Sequence, residues 1–383
     1  MMVRLHDVAV VHRVAATEPE RRCLPYVGLE DIEKERGGFV PSYDRRPQAA
    51  LSSNVRFSSR HVLYGKLRPY LNKVALPDFD GVCTTEILPI APRNGDLDRR
   101  YLWGLLLSSP FVAWASARVH GANLPRLDPE LLGEYEFDLP SIATQQRIAA
   151  QLAEADRLRR MRRYALELSD GLAGTVFREL FDRERLPAVS VEELAADAPN
   201  AIRTGPFGSQ LLHSEFTDQG VAVLGIDNVV SNRFEWSERR FITDEKFSRL
   251  KRYTVHPGDV LITIMGTCGR CAVVPGEIET AINTKHLCCI TLNHARCLPA
   301  FLHGAFLYDP FVRGQLKATT KGAIMDGLNM EIIKGLRIRL PALRAQQHYG
   351  SLVAQHERLR AQQVEALRQA EHIFRTLLHR AFA

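Results

Sequence analysis

The sequence predicts an α/β (α+β) protein: two small mixed α/β domains separated by two long antiparallel helices, related by an internal pseudo-two-fold duplication. Three observations carry this reading. The chain repeats itself at an interval of about 200 residues: Leu139-Pro140-Ser141-Ile142-Ala143-Thr144-Gln145-Gln146 is echoed by Leu340-Pro341-Ala342-Leu343-Arg344-Ala345-Gln346-Gln347. Each opening leads into a proline-free stretch whose apolar residues recur three and four apart, the helical period. The segments before them alternate short strand-like runs with Gly, Pro, Asn and Asp breaks. Copies so far apart are whole domains rather than solenoid units of roughly 20 to 50 residues.

The first domain is placed at 1–142, with strand-like runs at Val8-Ala9-Val10-Val11, Val74-Ala75-Leu76 and Glu86-Ile87-Leu88-Pro89-Ile90. Aromatic and apolar residues at helical spacing predict a helix within Tyr101 to Val119. The first long helix is placed at 143–186, where Gln145 to Asp182 contain no proline. At 1.5 Å per residue it would be roughly 57 Å long. Its seam is read as Leu158, Met161, Ala165, Leu168, Leu172 and Val176. Gly171 and Gly174 each cost about 1 kcal/mol relative to alanine in a helix, which predicts a bend near them; Pro187 ends the run.

The second domain is placed at 187–342, and its clearest strand is Val260-Leu261-Ile262-Thr263-Ile264 after the turn residues Pro257-Gly258-Asp259. The second long helix is placed at 343–383, with Tyr349, Val353, His356, Leu367, Ala370, Phe374, Leu377 and Ala381 along one side. Neither helix can bury its seam alone, so each needs the other or a partner protein. Gln145, Gln146, Leu158, Met161, Leu168, Leu172, Gln346, Gln347, Leu367, Phe374 and Leu377 are therefore the candidate residues for helix pairing or partner contact. Smaller landmarks repeat too: Ser109-Pro110-Phe111-Val112 matches Asp309-Pro310-Phe311-Val312, and Leu24-Pro25-Tyr26-Val27-Gly28-Leu29-Glu30-Asp31-Ile32 has the cast of Val221-Ala222-Val223-Leu224-Gly225-Ile226-Asp227-Asn228-Val229.

Composition narrows the class. Hydrophobic content of 45% with 25% charged residues is that of a globular protein. No run of 18 apolar residues exists to span a bilayer. Met1-Met2-Val3-Arg4-Leu5-His6-Asp7 places a histidine and an acid where a signal peptide needs an apolar core, so a cytoplasmic location without membrane contact is expected. Seven unevenly scattered cysteines fit reduced thiols better than a disulfide framework. A net charge of +6 is compatible with a nucleic-acid partner without demanding one.

Catalytic signatures are missing. The sequence has no Gly-x-x-x-x-Gly-Lys-Ser/Thr loop, no His-Glu-x-x-His pair and no Gly-x-Ser-x-Gly elbow. Asp309-Pro310-Phe311 lacks the second proline of an amino-methyltransferase loop and reads as a helix start. Cys268-x-x-Cys271 with Cys288, Cys289 and Cys297 invites a zinc reading. Adjacent Cys288 and Cys289 on a strand would face opposite ways, however, so buried small hydrophobes are favoured and no metal site is expected.

What remains is binding chemistry. Basic residues suit phosphates, and polar or planar side chains suit base edges. Tyr64, Lys66, Arg68, Tyr70 and Lys73 interleave cations with aromatics in one short stretch. Arg203-Thr204-Gly205-Pro206-Phe207-Gly208-Ser209-Gln210 is a glycine-punctuated turn that would bring Arg203, Thr204, Gly205, Phe207, Gly208, Ser209 and Gln210 near a phosphate or base. Arg118, His120 and Asn123 fall at the same place in the first half as Lys317, Thr319, Thr320 and Lys321 in the second. Read alone, each is also an ordinary solvated loop. Arg157, Arg159, Arg160, Arg162 and Arg163 surround more than one helix face, so solvation or pairing with acids is favoured over a docking surface.

With these pieces in order, the chain resembles the specificity subunit of Type I restriction-modification systems over almost its whole length. The carriers are the two Leu-Pro…Gln-Gln openings, the Phe374-Arg375-Thr376-Leu377-Leu378-His379-Arg380-Ala381-Phe382 ending, Gly205–Leu211, Gly258–Ile262 and Gly266–Pro275. Ser141 and Ala342 depart from a frequent second proline. The resemblance implies that each α/β domain is a target recognition domain reading one half of a two-part sequence in double-stranded DNA. It implies that the helices set the gap and dock two methyltransferase subunits, with restriction (motor-nuclease) subunits joining for cleavage. It also implies a non-catalytic chain that binds no cofactor itself, S-adenosylmethionine, ATP and Mg belonging to the partner subunits. The alternatives are a self-contained nuclease or methyltransferase with a divergent site, and a coiled-coil scaffold that binds only protein.

Overall fold

Four-stranded sheets with one strand order lie at the centre of both halves. The computed structural model describes residues 1–47, 53–121, 123–181, 186–320 and 327–383, in two units: 1–164 with 364–383, and 165–363. In the first unit the strands run, side by side, Ala9–Val11, Ile87–Pro92, Val62–Gly65 and Val74–Ala75, all antiparallel. In the second they run Ile202–Thr204, Leu287–Ile290, Val260–Thr263 and Cys271–Val273, again antiparallel. A second sheet in each unit is built around a parallel pair, Tyr26–Val27 with Gly81–Thr84 and Val221–Leu224 with Ala281–Asn283. A two-stranded ribbon completes each unit, Met2–Arg4 with Glu136–Asp138 and Ala188–Ser190 with Arg337–Arg339. The repeat heard in the sequence is thus a repeat of topology.

These strands form where the sequence is apolar at consecutive positions. Val62–Gly65 and Val260–Thr263 are buried at every residue, as expected of strands covered on both faces. Helices close over them: Arg99–Leu107 and Ser109–Ser116 in the first unit, Pro299–Tyr308 and Pro310–Thr320 in the second. Asp98 caps the first of these by accepting from the amides of Arg100 and Tyr101, satisfying donors that a helix start leaves orphaned. Cys288 lies in the core under the helices, whereas Cys289 lies in the core of the other sheet face. The two do face opposite ways.

The long helices are Ile142–Asp170, Leu172–Phe181 and Leu343–Phe382. The predicted bend is found at Gly171, which interrupts the first run. Within the first unit, Leu152 and Phe382 both close on Gly104, and the Arg159 guanidinium lies 3.8 Å from the Phe374 ring centre. Within the second, Asp170 bonds Arg360 at 2.7 Å and Phe177 meets Tyr349 edge-on at 5.3 Å. In each unit rising numbers on one helix meet falling numbers on the other, so the pairing is antiparallel. Glycine makes both contacts close: a Cβ at Gly104 would stand 2.8 Å from Leu152 Cδ1, and one at Gly304 2.6 Å from the Tyr349 hydroxyl.

As helix-pairing residues, the seam of the first helix is a correction. Leu158, Met161, Leu168 and Leu172 are 37–62% exposed. The buried face is instead Gln145, Ala149, Leu152, Ala155, Asp156 and Arg159. Hydropathy misses that face because its polar members are paired. Arg159 bonds Asp156 at 2.6 Å and its guanidinium lies over Phe374, and buried charges persist only when partnered so. Arg157 pairs with Glu154, Arg160 with Asp156 and Arg163 with Glu33, as the favoured reading of the arginine cluster expects. On the last helix Phe374 is buried, while Leu367 is half-buried and Leu377 packs against the first core.

Gln145 and Gln346 are also corrected: both are wholly buried, each inside its own unit. Gln145 Oε1 accepts from the Asp98 amide at 2.9 Å, and its Nε2 donates to the carbonyls of Asp96 and Pro140. Gln346 does the same with the Leu298 amide and the carbonyls of Arg296 and Pro341. Each latches the start of a long helix to the loop that starts the covering helix. Gln146 and Gln347 are exposed beside them. Among the described residues, no helix is long and apolar enough to cross a membrane.

Candidate nucleic-acid interface

In the first unit the candidate cations sit on the hairpin that joins Val62–Gly65 to Val74–Ala75. Arg68 and Asn72 take left-handed backbone conformations, φ 52° and 46°. That region costs most non-glycine residues energy and must be held by its surroundings. Here Asn72 Nδ2 donates to the Leu107 carbonyl at 2.9 Å, and the Arg68 amide donates to the Pro125 carbonyl at 2.7 Å. The tip is therefore rigid, and it presents Arg68 and Tyr70 to solvent.

Two members of that group turn inward. Tyr64 is 1% exposed and packs edge-on against Phe111; burial pushes its hydroxyl well above the usual range, so it belongs to the core and not to a binding surface. Its strand is covered on both faces, so neither direction of strand alternation would bring it to solvent. Lys73 donates its ammonium to the Leu29 carbonyl, and burial, then Lys34, pull its pKa down. Lys66 is half-buried.

The structure brings a second candidate beside this tip. Arg118 and His120 are exposed, as is Asn123, and the strand Val119–His120 pairs with Arg126–Leu127. Leu127 donates its amide to the Lys66 carbonyl at 3.0 Å, Leu67 bridges to Arg126, and Arg126 pairs with Glu86 at 3.0 Å. Arg118 lies 4.7 Å from the Trp114 ring centre. Segments more than 40 residues apart in the chain so form one basic, aromatic surface.

Register shows that the second unit carries the same hairpin. Tyr64 pairs with Val74 as Ile262 pairs with Cys271, so counting along the loops sets Arg68 beside Gly266 and Asn72 beside Gly269. Gly266 and Gly269 are left-handed too, φ 70° and 80°. The two hairpins correspond, the second being one residue shorter, with glycines at the left-handed positions in one copy and an arginine and an asparagine in the other. Its exposed cation in the second unit is Arg270, which shares a cavity of about 480 Å³ with Asn232, Arg313 and Lys317.

The glycine-punctuated turn divides. Arg203 is 6% exposed and is another correction: it pairs with Asp259 at 2.7 Å and donates to the Thr291 hydroxyl and the Asn200 and Thr254 carbonyls. A buried guanidinium with both Nη atoms engaged by the protein holds strands together and does not face a phosphate. Gly205 is buried, and a Cβ there would stand 2.0 Å from the Asn283 carbonyl oxygen. It serves packing, and Thr204 beside it is half-buried. Phe207, Gly208, Ser209 and Gln210 are exposed, with Gln210 held by the Phe207 amide and the Tyr253 hydroxyl. Thr319 and Thr320 end the helix Pro310–Thr320, and Lys321 lies outside the described residues.

Sequence reading passed over Arg240, Arg270, Arg313, Lys285 and His286. The turn Thr284-Lys285-His286 sits between two apolar strands, and that polar break in an apolar run was the available signal. Arg240 and Arg313 left none, because only folding sets them beside the loops.

No family model matches the chain. Among curated proteins it is 28% identical over 137 residues to the EcoDI Type I restriction enzyme specificity subunit of Escherichia coli, covering 35% of this chain and 30% of that one. It is 20% identical over 280 residues to the MjaVIII specificity subunit of Methanocaldococcus jannaschii, covering 70% and 65%. The matches thus span about a third to two thirds of those relatives. Among solved structures it is similar to the Type I restriction-modification S subunit from M. genitalium, with a TM-score of 0.64, 14% identity and coverage of 100% and 96%. It is also similar to a chain from a structural account of complex assembly in the type I R-M system, with a TM-score of 0.59, 20% identity and coverage of 100% and 97%. The structural likenesses establish the fold.

Proposed function

We propose that this chain, a relative of the Type I restriction enzyme specificity subunits in sequence and in fold, is the DNA-reading subunit of such a system. Each unit reads one half of a two-part, asymmetric target in double-stranded DNA. The chain is not itself catalytic; S-adenosylmethionine, ATP and Mg belong to its partners. Two methyltransferase subunits dock along the long helices, and restriction subunits join for cleavage.

The observation that carries this is the paired hairpin, a corresponding loop with two left-handed positions in each unit, with Arg68 and Tyr70 on one and Arg270 on the other. Two equivalent tips bearing different side chains suit two half-sites of different sequence. Linking two readers raises the effective concentration for the second contact without new interactions. Exposed Leu158 and Met161 support docking of a protein on the first helix.

Methylome sequencing of a host carrying this chain with its methyltransferase partner tests the reading. A bipartite adenine-methylated motif is expected, as is salt-dependent retardation of duplex DNA by the purified chain. Methylation or cleavage by the chain alone would overturn it.

A further inference from the structure

A cavity of about 400 Å³ in the second unit opens between the exposed Phe207–Gln210 loop and the Thr284–His286 turn. Neither Arg240 nor Lys285, which help line it, is used by the paired hairpins. We propose that Arg240 reads the edge of a guanine in one half-site from this cavity while Lys285 holds the adjoining phosphate, an assignment that rests on the DNA-reading role above.

Preorganisation is the first argument. Arg240 pairs through Nη2 with the Asp227 carboxylate, which also accepts the Ser237 hydroxyl. Burial alone would raise the Asp227 carboxyl, but the hydrogen bonds from Ser237 and Arg240 outweigh it and hold it below its ordinary value. The carboxylate therefore stays charged and fixes the guanidinium. Gly225 makes room for the arrangement, since a Cβ there would stand 2.6 Å from Arg240 Nη2 and 2.6 Å from Asp227 Oδ1.

Unused hydrogen-bonding capacity is the second. Among the described residues Arg240 bonds the protein through Nη2 alone, which leaves Nη1 unspent, and deeper in the wall its Nε and Thr284 Oγ1 are buried with no partner in the protein. His286 is held neutral by burial first and by the nearby Lys285 and Arg240 cations, so its ring offers one donor and one acceptor.

The third argument is the charge pattern. Asp227 neutralises Arg240, so the pair is a poor seat for a bare anion, and Lys285 is left as the cation suited to a phosphate. A guanidinium fork steadied from one side by a carboxylate matches the O6 and N7 acceptors of guanine. Among the described residues the first unit keeps only part of this set: Arg46 stands where Arg240 does, its carbonyl accepting from Tyr26 as that of Arg240 does from Val223, but it pairs with Asp44 instead. The shared amide-to-side-chain bonds of Gly28 with Asp31 and Gly225 with Asn228 put Glu30 in the place of Asp227. The strand registers put Thr85 and Glu86 in the places of Lys285 and His286. Only one half-site should depend on the cavity.

The test compares methylomes of hosts carrying the complete system with the wild-type chain, Arg240→Gln or Lys285→Gln, alongside salt titrations of each purified full-length chain on a target duplex. Arg240→Gln should relax one guanine position, or turn it toward adenine, in a single half-site, losing about ten- to a hundredfold discrimination. That half-site should be the one that follows residues 188–342 when they are exchanged. Lys285→Gln should weaken binding to all sequences alike and lower the salt slope by about 1. If Arg240→Gln does not fold, Arg240→Lys keeps the charge without the fork and should lose the same preference with an unchanged melting curve. An unaltered motif, or a change in both half-sites, sinks the cavity assignment while leaving the wider reading in place. Absence of any bipartite motif with the wild-type chain sinks the wider reading.

Discussion

Gln145 and Gln346 each tie down three backbone groups from inside the protein, one amide and two carbonyls. Truncating such a side chain leaves buried polar groups unpaired, at about 1–3 kcal/mol for each group that water cannot reach. Gln346→Ala should therefore lower the melting temperature clearly, and Gln145→Ala should do likewise. An unchanged melt for either would mean that water replaces the amide at no cost. The pair was legible as a repeat, because identical residues recur at corresponding places. Its role was not, because a glutamine at a helix start looks exposed until the loop it bonds, nearly 50 residues earlier, is in view. Arg203 was misjudged for the same reason, its neutralising Asp259 being 56 residues away.

At the scale of elements, the strands and long helices followed from period and breakers. Val260–Thr263 appears where a turn triplet precedes consecutive apolar residues, and the first long helix breaks at Gly171. A Cβ at Gly171 meets nothing within 4 Å and the backbone there is not left-handed. Gly171→Ala should accordingly raise stability by about 0.5–1 kcal/mol by favouring the helix, measured as a higher melting temperature. A lower one would show that packing needs the break. Which face each helix buries was less legible. Spacings of three and four occur on two faces of the first run, and the buried one carries Asp156 and Arg159 against Phe374 while leucines face solvent.

At the scale of the whole molecule, the proposed reading makes the halves separable in function. Replacing residues 188–342 with the matching segment of a related chain should change one half of the methylated motif and leave the other intact. Alteration of both halves in methylome sequencing would contradict independent reading by the two units. Separability rests on each unit owning its core, its latch glutamine and its hairpin, not on any one contact.

The amino-acid order alone determined that the chain is two α/β copies joined by long helices, because repeats, periodicity and breakers are written along the chain itself. It also marked the short basic stretches, of which the Arg68–Tyr70 tip and the Phe207–Gln210 loop prove exposed. Tertiary structure alone decided which of those cations face inward. It matched the two hairpins through their strand registers and gathered Asp227, Arg240 and Lys285 around one opening. Charge and hydrogen-bonding capacity belong to a residue, but whether they are spent or free depends on neighbours that only folding supplies.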